Sequence, residues 1–264
     1  MQTFTDTYRH RFILNNLVAK NFKTLYRNMA LGLLWAVLNP LVMITTLALV
    51  WRVFMPGNTS FASFVMVAYV PFVFFQYCLS GCTHSIVGNA SLVKKVAFPR
   101  QILPFSVILT HLVHFGIQVP LVVIVLLLFP PEANVVGFHL LWLPVIFVVQ
   151  LGLVIGVGLL VAGLNVVYRD MQYVVDSALL VLFWVSSVLF DGRKAATLQA
   201  NDWLFCMYYL NPLAGISEAY RSVLFYGHAP EMATFLLSVG VTTVLGFWGV
   251  RSFWIHEKEF ADLI

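Results

Sequence analysis

The sequence predicts an all-α integral membrane protein with six transmembrane helices, an N-terminal interfacial amphipathic helix and a re-entrant helical hairpin between spans five and six. Of the 264 residues, 61% are hydrophobic and only 10% are charged, against roughly 25% charged in an ordinary soluble domain. Six apolar runs have about the 20 residues that a helix needs to cross a bilayer. The basic residues are distributed unevenly between these runs. These observations exclude a sizeable soluble domain and predict one transmembrane domain over residues 1–264, with membrane lipids and not nucleic acid as its surroundings.

The predicted spans alternate between a basic side and a side poor in basic residues. They are residues 32–51, 61–83, 103–129, 140–165, 173–190 and 232–250. An even number of spans places both termini on one side. If that side is the cytoplasm, eleven of the 15 lysines and arginines are cytoplasmic, as the positive-inside rule requires. The predicted cytoplasmic segments are residues 1–31, 84–102, 166–172 and 251–264.

Residues 9–27 have the periodicity of an amphipathic helix. The apolar face comprises Leu14, Val18, Phe22 and Leu25, and the polar face comprises Asn16, Lys20, Lys23 and Arg27. We expect this helix to lie in the membrane interface; the alternative is a solvated tail that is periodic by chance. The apolar run of a signal peptide is missing from this region, so the chain is expected to be inserted uncleaved.

The connection between the last two spans, residues 191–231, is long and partly apolar. Asn211-Pro212 is a turn signal, and apolar residues follow it at helical spacing from Ile216 to Leu224. Two helices too short to span would form a hairpin that dips into the outer leaflet, which requires burial in protein. The alternative is a surface loop that rests on the lipid headgroups.

The sequence lacks the motifs of common catalytic sites. It has no phosphate-binding loop, no His-Glu-x-x-His and no G-x-S-x-G, and no residue cluster with metal-ligand spacing. We therefore predict no catalytic residue, no metal site and no bound cofactor, and Cys78 and Cys82 are interpreted as packing residues. Asp176 lies near a span end, where water can reach it. His111 and His114 are one helical turn apart, so a proton relay is conceivable, but we interpret them as core histidines that hydrogen-bond across helices.

Aromatic side chains are abundant, with 23 Phe, 10 Tyr and 7 Trp. They are typical of interfacial belts and packing. The alternative is a channel lining on which sugar rings stack. The candidate lining residues are Trp35, Phe72, Phe75 and Trp184.

Three short motifs carry a resemblance to a known family. They are LYRNMALGLLWAVLNP at residues 25–40, KKVAFPRQILP at 94–104 and NVVYRD at 165–170. With Asn211-Pro212 and Glu218 to Arg221 in the hairpin, these motifs resemble the permease subunit of ABC exporters for O-antigen, capsule and teichoic acid polysaccharides. The resemblance implies a homodimer in the cell inner membrane that moves a lipid-linked polysaccharide outward. It also implies a partner ATPase subunit that binds ATP and Mg.

The same resemblance assigns roles to particular residues. Residues 89–100 would be a coupling loop that docks on the ATPase, with a second contact after the fourth span, and residues 191–231 would be an external gate. The coupling residues would be Asn89, Lys94, Lys95, Phe98, Pro99, Arg100, Tyr168, Arg169 and Asp170; the gate residues would be Trp203, Asn211, Pro212, Glu218 and Arg221. Alternatively, the three charges of the loop only set the topology. An ion-coupled secondary transporter and a non-transport membrane protein acting on glycolipids are the alternative functions.

Overall fold

A computed structural model describes residues 10–27, 29–54, 60–96, 98–131, 133, 136–194, 200–257 and 260–263 of the chain. The regular elements among these residues are helices, and none of these residues forms a strand. The predicted all-α fold is therefore confirmed. Arg9, Ala97, Lys258 and residues 195–199, which belong to predicted segments, lie outside the described residues.

Eleven α-helices follow one another in the described part of the chain. They are α1 (Arg11–Leu25), α2 (Trp35–Phe54), α3 (Phe61–Ser85), α4 (Ala90–Lys95), α5 (Ile102–Leu128), α6 (Trp142–Val167), α7 (Met171–Val185), α8 (Asp202–Tyr209), α9 (Pro212–Leu224), α10 (Met232–His256) and α11 (Phe260–Leu263). Short 3₁₀ turns at Gly32–Leu34, Val87–Asn89, Phe138–Leu141 and Gly192–Lys194 connect some of them. Five helices in this part of the chain, namely α2, α3, α5, α6 and α10, are long and apolar enough to cross a membrane.

The helix at the predicted fifth span is shorter than expected. We expect residues 173–190 to span, but α7 ends at Val185 after 15 residues, which gives a length of about 22 Å against a hydrocarbon core of about 30 Å. The helix ends because Ser187 has a φ of 54°, in the left-handed region that an α-helix cannot use. The apolar residues that follow continue the run as non-helical backbone.

Helix α3 lies at the centre of the bundle. It contacts α2, α5, α6, α7 and α9, and nearly all side chains between Phe61 and Phe75 are buried. Polar bonds join it to its neighbours: Gln150 Nε2 of α6 donates to the Pro71 carbonyl at 2.7 Å, and the Tyr220 hydroxyl of α9 donates to Gln150 Oε1 at 2.8 Å. The centre of the bundle therefore includes the non-spanning helix α9.

Helices α6 and α10 pack with their backbones in contact. A Cβ at Gly156 would lie 2.3 Å from the Gly246 Cα, and one at Gly249 would lie 2.0 Å from the Gly156 carbonyl oxygen. Contact this close requires small residues on both helices. Gly156, Gly246 and Gly249 therefore permit the close approach of these two helices.

The two ends of the bundle differ in chemistry. The "basic end" comprises residues 86–96, 98–103, 165–171, 251–257 and 260, and it has its own apolar cluster around Val93 and Phe98. The "hairpin end" comprises residues 186–194 and 200–231 and the end of α3 that they contact at Phe64. The spanning helices connect the two ends.

Helix α1 rests one face on protein. Leu14, Val18, Phe22 and Leu25 are partly buried, whereas Lys20, Lys23 and Arg27 are exposed. The helix packs on α5, where Asn21 Nδ2 donates to Ser106 Oγ at 3.1 Å. Leu17 is buried in the apolar cluster of the basic end.

Candidate functional site

The segment between α3 and α5 has an anchored side and an accessible side. Val93 of α4 and the following Phe98 are buried in the apolar cluster of the basic end. Lys94 and Lys95 are exposed. Pro99, which is partly buried, comes before α5, and proline prevents continuation of a helix from the preceding segment. The backbone beneath the lysines is therefore held in place while both ammonium groups stay accessible.

Asn89 joins this segment to two other helices. Its Oδ1 accepts a hydrogen bond from Lys20 Nζ of α1 at 2.8 Å, and its Nδ2 donates to the Ser85 carbonyl of α3 at 2.8 Å. The side chain thus satisfies a carbonyl at the end of α3, where the helix itself offers no donor. Asn89, predicted as a coupling residue, fixes the position of α4 relative to α1 and α3.

The junction with α5 is held by the end of α10. Glu257 Oε1 accepts the Arg100 backbone N–H at 2.9 Å, and Trp254 Nε1 donates to Gln101 Oε1 at 3.4 Å. The carboxylate lies at the N-terminus of α5, where the helix dipole favours negative charge. Arg100 Nε is buried and has no hydrogen-bond partner among the described residues. The sequence motifs identify neither Glu257 nor Trp254, because their partners lie 157 and 153 residues away.

The second predicted contact lies at the same end. Tyr168, Arg169 and Asp170, between α6 and α7, are exposed. Val166, just before them, is buried in the same apolar cluster as Val93. The structure therefore brings both predicted coupling segments to the basic end, each supported by a buried apolar residue.

At the hairpin end, Arg221 of α9 holds the non-helical chain that follows α7. Its side chain is fully buried, and it donates to the carbonyls of Ser187, Val188 and Phe190 at 2.5, 3.2 and 3.0 Å. The guanidinium carbon also lies 3.8 Å from the ring centroid of Phe64, within the range of a cation–π contact. These carbonyls belong to the non-helical chain just beyond the C-terminus of α7, so no helical N–H is available to them and a side-chain donor satisfies them instead.

Two acidic residues complete this network. Glu218 accepts from Ser187 Oγ at 2.8 Å, from the Gly192 N–H at 3.0 Å and from the Tyr209 hydroxyl at 2.6 Å. Arg193 Nε lies 3.3 Å from Asp191 Oδ1 and 3.7 Å from Glu218 Oε2.

The pKa of Asp191 is set by the same neighbours. Burial opposes ionisation of Asp191, but the charge of Arg193 and a hydrogen bond from Tyr226 outweigh it, so its pKa is lowered from the usual 3.8. Ionic hydrogen bonds thus join three segments, namely the chain that follows α7, helix α8 and helix α9.

The predicted gate residues do not all belong to this network. Asn211 caps α9, since its Oδ1 accepts the Leu213 N–H at 3.1 Å, and its Nδ2 donates to Ser186 Oγ at 2.9 Å. Pro212 occupies the first turn of α9, a position that suits proline. Trp203 of α8 is 63% exposed. The structure brings together Asn211, Glu218 and Arg221, but not Trp203.

Comparison with known proteins identifies the family. Residues 14–225, well over half of the chain, match the ABC-2 type transporter family. The chain belongs to this family. It is 30% identical to the O-antigen export system permease protein RfbA of Myxococcus xanthus over 261 residues, which are 98% of each chain.

Other relatives have related names. The chain is 26% identical to the O-antigen export system permease protein RfbA of Klebsiella pneumoniae over 251 residues, which are 93% of this chain and 92% of the relative. It is 23% identical to the polysialic acid transport protein KpsM of Escherichia coli over 249 residues, 92% of each chain. The family resemblance that the three motifs predict is confirmed.

Within this ABC-2 type transporter chain, the four candidate channel aromatics occupy different environments. Phe72 and Phe75 are buried in the main core, where Phe72 packs edge-on against Phe183 with ring centroids 5.5 Å apart. Neither ring forms part of the surface of the single chain. Trp35 and Trp184 are 40% and 60% exposed, so only these two present an aromatic face outward.

Trp184 belongs to an exposed stripe on α7. Tyr173, Asp176, Leu180 and Trp184 are exposed, and their spacing of three and four residues places them on one helix face. The opposite face, which includes Val175 and Leu179, is buried against the bundle. An aspartate on a lipid-facing surface costs at least about 2.5 kcal/mol near the bilayer centre. The stripe thus places an exposed carboxylate, that of Asp176, on the same face of α7 as the exposed rings of Tyr173 and Trp184 in this ABC-2 type transporter.

Proposed function

We propose that this chain is the transmembrane subunit of an ATP-driven exporter that moves a lipid-linked, O-antigen-like polysaccharide from the cytoplasm across the inner membrane. The observation that carries the proposal is the basic end: a member of the ABC-2 type transporter family presents two accessible lysines on an anchored segment. The chain itself lacks a phosphate-binding loop. The names of its relatives, O-antigen export permease and polysialic acid transport protein, give the substrate class.

The proposed topology has six spans with the basic end in the cytoplasm. In this orientation, eleven of the 15 lysines and arginines are cytoplasmic, which supports it. Helix α1 then lies at the cytoplasmic interface, and α7 with its non-helical continuation forms the fifth span. The hairpin is external and re-entrant. All residues of α9 from Pro212 to Val223 are buried, which is the condition for a non-spanning helix at membrane depth.

The partner at the basic end is a separate ATPase subunit, which binds ATP and Mg. Lys94 and Lys95 pair with acidic residues of that subunit, and Tyr168–Asp170 form a second contact. Asn89, Phe98, Pro99 and Arg100 hold the segment in shape. Because α4 is anchored by Val93 and Phe98, a displacement of the ATPase is transmitted to the membrane helices and is not absorbed by the loop.

The second copy of the chain in a homodimer faces the exposed stripe of α7. A polar and aromatic stripe of Asp176, Leu180 and Trp184 suits a surface that borders a water-filled path for a glycan, because the aspartate is then hydrated. Trp184 and Trp35 offer faces on which sugar rings stack. The hairpin closes the external end of this path.

Co-expression with the partner ATPase tests the function. Inverted vesicles carry both subunits and a lipid-linked glycan in their membrane, with the cytoplasmic face outward. When ATP is added to the external solution, glycan should accumulate in the lumen, which corresponds to the outside of the cell. An ATPase variant without its phosphate-loop lysine is the matched control and should abolish uptake. Uptake that needs no ATPase but follows an imposed ion gradient would instead identify a secondary transporter. No uptake and no association with the ATPase would refute the proposal.

A further inference from the structure

An apolar pocket of about 280 Å³ opens between α3, α5, α6 and α9 in the half of the bundle near the hairpin end. Its inner wall is buried: Val70 of α3 and Tyr220 of α9 are 1% and 4% exposed. Its mouth is open, because the lining residues Val119 of α5 and Pro144 of α6 are exposed. The pocket is thus a recess in the outer surface of the bundle.

The pocket offers no polar group to a ligand. Tyr220, the polar residue among those that line it, donates its hydroxyl to Gln150 Oε1 at 2.8 Å. Gln150 in turn donates to the Pro71 carbonyl at 2.7 Å, so these groups already have partners. Two parallel rings, Phe115 and Phe147, form one wall with centroids 5.5 Å apart and an interplanar angle of 10°. Such a lining suits a hydrocarbon ligand.

The surroundings of the mouth are also apolar. Both flanking helices, α5 and α6, are apolar enough to cross a membrane, and their neighbouring outer residues Val123 and Val148 are 51% and 66% exposed. Water avoids cavities with apolar walls, which take up apolar molecules instead. At this depth, the hydrocarbon of the bilayer is the available occupant.

We propose that this pocket is a binding site for one acyl chain of a membrane phospholipid. The lipid belongs to the leaflet at the hairpin end, which is the outer leaflet in the proposed orientation. The bound chain contacts Tyr220 and Leu224 of α9, so it stabilises the docked position of the hairpin by binding free energy. The pocket and α7 contact different residues of α3, because Val70 and Pro71 line the pocket whereas Phe72 packs against Phe183 of α7.

Photo-crosslinking distinguishes this site from the lipids that merely surround the protein. The full-length chain with its ATPase is placed in nanodiscs of phosphatidylethanolamine and phosphatidylglycerol with a trace of phosphatidylcholine that carries a diazirine in mid-chain. The sample is irradiated before and after a wash in lipid without the probe. We expect adducts at Phe115, Val119 and Phe147 to survive the wash, and adducts at Val123 and Val148 to disappear. Equal loss at both sets would overturn the proposal.

Two filling variants and a matched control test the same point. Val119→Trp and Val122→Phe place side-chain volume in the pocket and should lower the retained adducts several-fold. Val123→Trp, one helical turn along α5 and outside the pocket, should leave them unchanged. If the filling variants retain adducts at the wild-type level, the pocket does not bind the acyl chain.

A competition experiment identifies the lipid. Excess unlabelled phospholipid should displace the probe, whereas the same mole fraction of a polyisoprenyl phosphate should not. Displacement by the polyisoprenyl phosphate alone would assign the pocket to the carrier lipid of the substrate and refute the occupant proposed here. This assay contains no glycan and no ATP, so its outcome does not depend on the proposed export function.

Discussion

Replacing Arg221 by methionine is expected to release the hairpin from the end of α7. Methionine keeps most of the side-chain volume but removes the donors to the Ser187, Val188 and Phe190 carbonyls. Hydrogen bonds of a charged donor contribute about 1.5–3 kcal/mol each, and contributions within one network do not add. Removing one partner from a buried ionic network costs about 3–5 kcal/mol. We therefore expect Arg221→Met to lower the free energy of opening the hairpin by this amount.

A buried thiol on α9 measures this release. Ser217 is 3% exposed, so Ser217→Cys places a protected thiol in the hairpin; Cys206, which is exposed, is first replaced by serine. When the helix opens and closes faster than it is labelled, the labelling rate reports the opening equilibrium. A loss of 3–5 kcal/mol should accelerate labelling by about two to three and a half orders of magnitude.

Two further variants make the measurement decisive. Arg221→Lys keeps the charge but not the planar set of donors, so its labelling rate should lie between those of the parent and Arg221→Met. Lys194→Met removes a positive charge from the same region, where Nζ lies 4.5 Å from the Tyr226 ring centroid. Because the Lys194 side chain is exposed, labelling should rise by only a few-fold. If Arg221→Met labels no faster than Lys194→Met, Arg221 does not hold the hairpin.

Three other perturbations have definite expected results. Lys94→Glu with Lys95→Glu should weaken ATPase binding by about 1–3 kcal/mol if the charge pairs are desolvated; correct insertion with undiminished ATPase per permease after purification would contradict this. Gly156→Ala should cost about 1–3 kcal/mol or more of stability through overpacking, since its Cβ would lie 2.3 Å from a backbone atom. Gly240→Ala on α10, whose Cβ would meet nothing within 4 Å, is the control, and equal melting temperatures of the two variants would refute the packing argument. Because the pKa of Asp191 is lowered from 3.8, its stabilising effect is present above that pH and is lost as the pH falls through the lower folded-state pKa. Labelling of the same buried thiol by a pyridyl disulfide should therefore accelerate on acidification below that value, and an Asp191→Asn variant with an unchanged acid response would show that another group is responsible.

Local patterns predict most of the fold because each spanning helix is encoded within its own residues. Hydropathy locates α2, α3, α5, α6 and α10, and the faces of α1 follow from its periodicity. Hydropathy does not indicate what each helix face packs against. The apolar face of α1 therefore packs on α5 although its pattern alone suits a lipid surface equally well.

The end of α7 shows why a longer-range interaction escapes sequence reasoning. Val188, Leu189 and Phe190 extend the apolar run of this helix, and no glycine or proline stops it. The backbone nevertheless leaves the helical conformation at this point. Arg221, more than 30 residues later in the sequence, donates hydrogen bonds to the Ser187 and Val188 carbonyls that no longer have a helical partner. An arginine in a predicted external loop is the available signal, and its partner cannot be deduced from its position.

The candidate site was predictable where it lies in continuous motifs and not where it depends on contacts between distant segments. Lys94, Lys95 and Tyr168 stand in short recognisable stretches, and the structure places them at one end. Phe72 and Phe75 illustrate the limit, since an apolar aromatic ring suits a core and a channel wall equally. Glu257 has no motif at all.

Helix α10 reaches from the basic end to the hairpin end and has contacts at both. Its C-terminal Glu257 holds the start of α5 beside the lysine segment, and its N-terminal part packs so closely on α9 that a Cβ at Gly215 would lie 3.0 Å from the Thr234 carbonyl oxygen. Coupling between two binding events is reciprocal. If an ATPase that docks at the basic end shifts the hairpin through α10, a glycan that displaces the hairpin changes the affinity for the ATPase by the same factor. The affinity for the ATPase in the cytoplasm would then depend on whether the transport path holds a glycan.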